Sequence, residues 1–250
     1  MNFQIESEKI RDIQEMGIVL AAKTLNPSVI NQDFIQFSGI IPSFWQLVSQ
    51  PVLNPNYAQL CFNNGLNLVA QGNSISFIQS SQGKFFQELA IADTARRFLE
   101  KIPFAEYQNL RIQLKSLIPF DDYSDSAREY ITEKFLAPGS WQEIGKAPVE
   151  ASINLLFKLD RRELNLSVNE ARIQYNNADR ATASGILFSG AFAYTLNNDP
   201  QARLKELNQI LQDWRQDVLE FRNIIQKNFL NRSDDDDGQE ELVLFPSRLA

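Results

Sequence analysis

Apolar residues recur along this chain in two rhythms, and the switches between them mark its elements. Residues 107–118, YQNLRIQLKSLI, alternate Leu110, Ile112 and Leu114 with Arg111, Gln113 and Lys115, the two-residue period of a half-exposed strand. The run GIVLAAK (17–23) reads as a short buried strand. In YAQLCFNNGLNLVAQ (57–71), a three-residue loop Asn63-Asn64-Gly65 with a left-handed glycine puts Ala58, Leu60, Phe62, Leu66, Leu68 and Ala70 on one face; a two-residue Asn64-Gly65 loop would mix the faces. In INLLFKLDRRELNLSV (153–168), a two-residue Arg161-Arg162 loop pairs Leu159 with Leu164, Phe157 with Leu166 and Leu155 with Val168. Each hairpin is followed by a further strand, 73–80 and 184–196.

The helical rhythm appears four times. Residues 31–37 form a short helix with Asn31 as its N-cap, and 126–135 a second with Ser126 and Glu129 in capping-box spacing. A third, about 85–102, buries Ile91, Ala95, Phe98 and Ile102 and stops at Pro103. The fourth starts at Asp199-Pro200, a cap followed by proline at the first helical position, and runs to about 229 with Leu204, Leu207, Leu211, Trp214, Val218, Phe221 and Ile225 in three-and-four spacing. Ile210 and Ile224 widen that stripe, as in a helix lying on a sheet; a coiled-coil homodimer is the alternative.

The order is thus strand, helix, three antiparallel strands, helix, twice over. A second echo reinforces it: PSFWQLVSQPV (42–52) returns as PGSWQEIGKAPV (138–149), aligning Pro42 with Pro138 and Trp45 with Trp141. These patterns predict an α+β fold, an internally duplicated domain over 1–230 with halves of about 17–103 and 104–230. Its sheet would be curved and mostly antiparallel, with helices on one face. The paired tryptophans are expected to close the core between helix and sheet in each half. Residues 231–241, NRSDDDDGQEE, read as a solvated acidic linker, and 242–250 as an apolar tail.

On GIVLAAKTLNPSVINQDFIQFSGIIPSFW and LAPGSWQEIGKAPVEASINLLFKL, the chain up to about residue 230 resembles an uncharacterised family of cyanobacterial proteins of about 250 residues. That resemblance implies a bacterial cytoplasmic setting and supplies no functional residues. The two-half arrangement is also similar in topology to the saddle of the TATA-binding-protein fold, from which no activity carries over.

Composition narrows the chemistry. A formal charge of −7 disfavours nucleic acid and anionic membranes as partners. A single cysteine, Cys61, rules out an internal disulfide, and the N-terminus lacks an apolar run of signal-peptide length, so a cytoplasmic protein is expected. The absence of histidine removes Ser-His-Asp and Cys-His nucleophiles and nearly all zinc-site designs. Setting Gly238 as the sixth position of a calcium loop places Leu244 where the bidentate glutamate belongs, so the acidic run fails as one. Asp121-Asp122 reads as a turn. No cofactor or metal is expected.

What remains is surface. On this register the sheet face away from the helices carries Arg111, Gln113, Lys115, Asn154, Lys158, Asn165, Ser167 and Asn169, polar and mildly basic. The tail offers Leu242, Leu244 and Phe245 ahead of a proline, suited to adding a strand to a sheet edge on its own chain or a partner's. Past Val168 the alternation slips, and a bulge would turn Glu170 and Arg172 toward a sheet face. The expectation is a non-catalytic adaptor or scaffold that binds protein partners through the open face and the tail. The alternative is an enzyme or small-molecule-binding protein using carboxylates and arginine, Glu170 with Arg172, in a cleft between the halves.

Overall fold

The computed structural model describes residues 12–120, 126–146, 149–173 and 183–231. Its strands are β1 (Glu15–Ala22), β2 (Val52–Asn54), β3 (Tyr57–Cys61), β4 (Leu66–Gln71), β5 (Ser74–Ser80), β6 (Tyr107–Pro119), β7 (Ser152–Lys158), β8 (Arg162–Ile173) and β9 (Ala183–Tyr194). They make one nine-stranded sheet in the order β2-β3-β4-β5-β1-β6-β9-β8-β7. Every neighbouring pair is antiparallel. The helices are α1 (Gln32–Phe37), α2 (Ile91–Lys101), α3 (Ser126–Phe135), α4 (Pro200–Gln212) and α5 (Trp214–Asn223), the last running into a π turn at Ile224–Phe229.

The register explains why one face is dry. Leu60, Leu68, Phe77, Ile18, Ile112, Phe192, Leu164 and Phe157 follow one another across eight strands on the same side, and all but Phe157 are buried. A side chain two positions along any strand stays on this side, so the helices need cover only one surface. α2 packs on β1 and β5, α3 on β8 and β9, and α5 on β6. Gly190 of β9 admits α5: a Cβ there would stand 2.4 Å from the Phe221 ring. The α+β class and one-sided layering expected from the alternation are present.

Local signals decide the element ends. Asn31 accepts from the Phe34 amide at 2.8 Å, and Asp199 from the Ala202 amide at 2.7 Å ahead of Pro200. α2 has no capping side chain of its own. Gln79, buried in β5, reaches across instead and accepts from the Ala90 and Ile91 amides at 3.0 and 3.1 Å. Gly65, at φ +82°, closes the three-residue loop between β3 and β4 as expected, with Leu60 opposite Leu68 and Ala58 opposite Ala70.

Five expectations need correction. The β7–β8 loop is Asp160-Arg161, closed by the Leu159 amide on the Arg162 carbonyl. Phe157 therefore faces Leu164, and Leu155 faces Leu166; the shift is two residues, so the faces survive but Arg162 joins the strand. β8 keeps one register with β9 from Arg162 to Ile173, without a bulge. The helix expected over 85–102 begins with a separate turn at Phe86–Glu88. The helix from 200 breaks at Asp213 before α5. Finally, Trp45 packs on Phe62 with ring centres 6.1 Å apart, while Trp141 donates to the Ala137 carbonyl in its own loop and stands outside the core.

Candidate functional site

The sheet face that no described helix covers brings together seven of the residues singled out from the sequence. Arg111, Gln113 and Lys115 stand in a line on β6, Asn165 and Asn169 on β8, and Asn154 and Lys158 on β7. Between β6 and β8 runs β9, whose residues on this side include Gly185, Leu187, Ser189, Ala191 and Ala193, all small except Leu187. From Ser189 to Ala193, small side chains on the central strand with longer ones on both flanks make a shallow trough, about 10 Å from β6 to β8. Its cross-strand rows are Arg111–Ala193–Glu163–Lys158, Gln113–Ala191–Asn165–Leu156 and Lys115–Ser189–Ser167–Asn154.

The flanks are shaped further by their neighbours. Gly17 of β1 faces Gln113, whose side-chain oxygen lies 3.1 Å from where a Cβ of Gly17 would be, so Gln113 leans toward β1 and away from the trough. Lys115 pairs with Glu15 at 2.7 Å. Arg111 and Lys158 make no ion pair among the described residues. Asn169 accepts from the Ser152 hydroxyl at 2.5 Å and donates to Ser167 at 3.3 Å. Among the described residues the surface thus presents amides and two cations that make no ion pair. Sequence reading missed the floor, although FSGAFAY shows it: Ser189, Ala191 and Ala193 alternate with Phe188, Gly190 and Phe192.

Glu170 and Arg172 do not form a site. Glu170 lies on the helix side, where Arg128 of α3 binds it through Nε at 2.8 Å and Nη2 at 3.2 Å; Arg128 also reaches Glu150 at 3.1 Å. Arg172 is exposed. Both residues have the helix-side parity of Leu164, but Glu170 is held under α3 while Arg172 lies nearer the strand end. Leu242, Leu244 and Phe245 lie outside the described residues, as do Asp121 and Asp122.

A second polar cluster, unforeseen, sits beneath α5. Asp217, 1% exposed, accepts from the Tyr194 hydroxyl at 2.7 and 2.8 Å and pairs with Arg162 Nη1 at 3.0 Å. Arg162 also donates to the Tyr194 oxygen at 3.1 Å, pairs with Glu220, and stacks 4.9 Å over Phe192. Burial pushes the Asp217 carboxyl up to about 6, and Glu220 and Asp213 add to this against the Tyr194 bond and Arg162. Burial, then Asp217, raises the Tyr194 hydroxyl far above its usual range. Burial draws the Arg162 guanidinium down, but Asp217, Tyr194 and Glu220 outweigh it and hold it above its ordinary value. The cluster therefore clamps α5 to β8 and β9. Two features could have revealed it: Arg162 has the parity of Leu164, and Asp217 falls inside the stripe of Trp214, Val218 and Phe221.

Two shallow clefts lie in the outer parts of the sheet. One, of about 470 Å³, sits at the β7–β8 turn beside Arg161 and Glu206. The other, of about 510 Å³, lies between Asn31 and the β2 residue Leu53. Among the described residues no group of three or more Asp, Glu or Cys side chains could hold a metal ion. No helix among them is long and apolar enough to cross a membrane. Fold and surface define an α+β protein whose open antiparallel sheet presents a polar trough. Comparison with protein-family models and with curated proteins finds no match.

Proposed function

We propose that the protein is a non-catalytic adaptor that binds an extended segment of a protein partner along the β9 trough, with the C-terminal tail contributing beside it. The observation that carries this reading is the trough itself: a floor of Ser189, Ala191 and Ala193 between amide-bearing flanks on β6 and β8. A backbone laid on such a floor can approach closely, and Asn165 and Asn169 can satisfy its amides and carbonyls. Arg111 and Lys158 favour a partner with acidic side chains. A cytoplasmic setting accords with the unpaired, partly exposed thiol of Cys61. Strand, helix, antiparallel strands and helix recur on either side of the β1–β6 seam, although the first half adds the short strand β2 that the second lacks, and this recurrence supports an origin by duplication.

Photo-crosslinking residues placed at Ala191 and Asn165, and at the helix-side position Lys101 as a control, test the reading in cells. Crosslinked polypeptides are expected from the first two positions and not the third, and Arg111→Glu should weaken them. Crosslinks from the trough no stronger than those from Lys101 would refute it.

A further inference from the structure

The last strand of the second half ends the sheet abruptly. β7 runs for 7 residues with one edge on β8 and the other unpaired among the described residues. The Leu159–Arg162 amide bond fixes which backbone groups are unpaired: alternate residues of β7 point toward β8, starting from Leu159, so those of Ser152, Asn154, Leu156 and Lys158 point outward. Apolar side chains protrude on both faces of this edge. α3 covers β8 and β9 but leaves Ile153 and Leu155 half-buried and Phe157 36% exposed on the helix side, with Leu156 54% exposed on the other. A long edge, apolar on both faces, is a template for another strand.

We propose that residues 241–247 of the same chain fill it as a tenth strand, antiparallel to β7, with Glu241 opposite Lys158, Val243 opposite Leu156 and Phe245 opposite Asn154. In this register Leu242 covers Phe157 and Leu244 covers Leu155, while Val243 and Phe245 extend the apolar surface around Leu156. Most strands carry apolar groups on one face; LVLF carries them on both, and so does this edge. Pro246 falls opposite Ile153, where an amide would point to solvent, the place in an edge strand that tolerates proline. Glu241 meets Lys158 at the start.

Reach favours the same chain. Phe229 packs on Phe135 and Phe188, with the Tyr130 hydroxyl on its carbonyl at 2.7 Å. Phe188 faces Val168, which faces Ile153. The described chain therefore leaves the domain near the level of Ile153, some three strand spacings from the position of a tenth strand. The path to a start opposite Lys158 is about 25 Å, from strand spacing, rise and layer depth, and residues 231–240 span up to about 35 Å. Such a tether gives an effective concentration of the order of millimolar, well above that of a second copy. The opposite edge, β2, has only 3 residues and lies at the far end of the sheet.

Docking would widen the open face beside the trough, and in that respect it rests on the proposed function; the test needs no partner, so its failure leaves the crosslinking result standing. Amide exchange of the full chain is followed by NMR at a concentration where light scattering gives a monomer. Exchange at Asn154, Leu156 and Lys158 is expected to be about tenfold or more slower than in Leu242→Asp/Leu244→Asp, whose changes lie outside the packed domain. Val243→Pro should abolish the protection and Pro246→Ala should keep it. Equal exchange in the full chain and the double variant, or protection that survives Val243→Pro, overturns the proposal. Protection that appears only with a dimeric mass overturns same-chain docking in favour of exchange between copies.

Discussion

Replacing Arg162 by methionine isolates the charge in the cluster beneath α5, because the stem can still pack on Phe192 while the guanidinium is lost. Asp217 then keeps only the Tyr194 hydroxyl. Removing one member of a buried ion pair costs about 3–5 kcal/mol; the retained tyrosine bond and the 20% exposure of the Arg162 side chain place this case near the lower end, about 3 kcal/mol at pH 8. The cost depends on pH, and its sign follows from the carboxyl. Its value is raised from 3.8 to about 6 in the folded chain, so the folded state holds the proton more tightly than the unfolded one. The group's contribution to stability is then full below about pH 4 and falls by about 3 kcal/mol as pH rises through 6. Loss of Arg162 raises the carboxyl further, so the penalty should be small at pH 4, where Asp217 is neutral in both proteins, and complete at pH 8. Urea unfolding of wild type, Arg162→Met and Asp217→Asn between pH 4 and 8 measures it, and Asp217→Asn should lose this component of the pH dependence. A penalty below about 1 kcal/mol at pH 8, or one equal at pH 4 and 8, would refute the assignment of a buried charge clamp.

Two further substitutions test how the helices are seated. Gly190→Ala drives a methyl into the Phe221 ring and should cost about 1–3 kcal/mol in chemical denaturation; Phe221→Leu in the same chain should recover part of it. Gln79→Met removes the acceptor for two amides at the start of α2, with an expected loss of about 2–3 kcal/mol and faster exchange at Ala90 and Ile91. An unchanged melting temperature in this variant would show that the cross-strand cap contributes nothing.

Much of the fold was legible because period-two alternation survives two-residue errors. Misplacing the β7–β8 loop by one residue left Leu155, Phe157, Leu164 and Leu166 on the helix side, since the pairing moved by an even number. The same error hid the buried cluster: with Arg162 assigned to a turn, nothing required Asp217 to have a partner. Glu170 was misread for a related reason. Ile173 seemed to break the alternation, but it lies on the open face near the strand end, and the register never shifts. The polar face was readable from β6, β7 and β8 alone, whereas the trough needed the order of strands. That β9 lies between β6 and β8 is a consequence of chain crossing, which no local pattern encodes.

Strand order also sets a timetable for synthesis. β6 pairs with β1 on one side as soon as both have been made, but its other neighbour, β9, follows about 75 residues later, roughly 4–15 s at ordinary elongation rates. Through that interval the nascent chain can hold a folded first half joined to a 13-residue strand with one unpaired edge. Arg111 and Lys115 project along that strand, and exposed cations on an open edge discourage pairing with other chains. The cations that flank the trough in the finished protein would, seconds earlier on the ribosome, guard an incomplete sheet against aggregation.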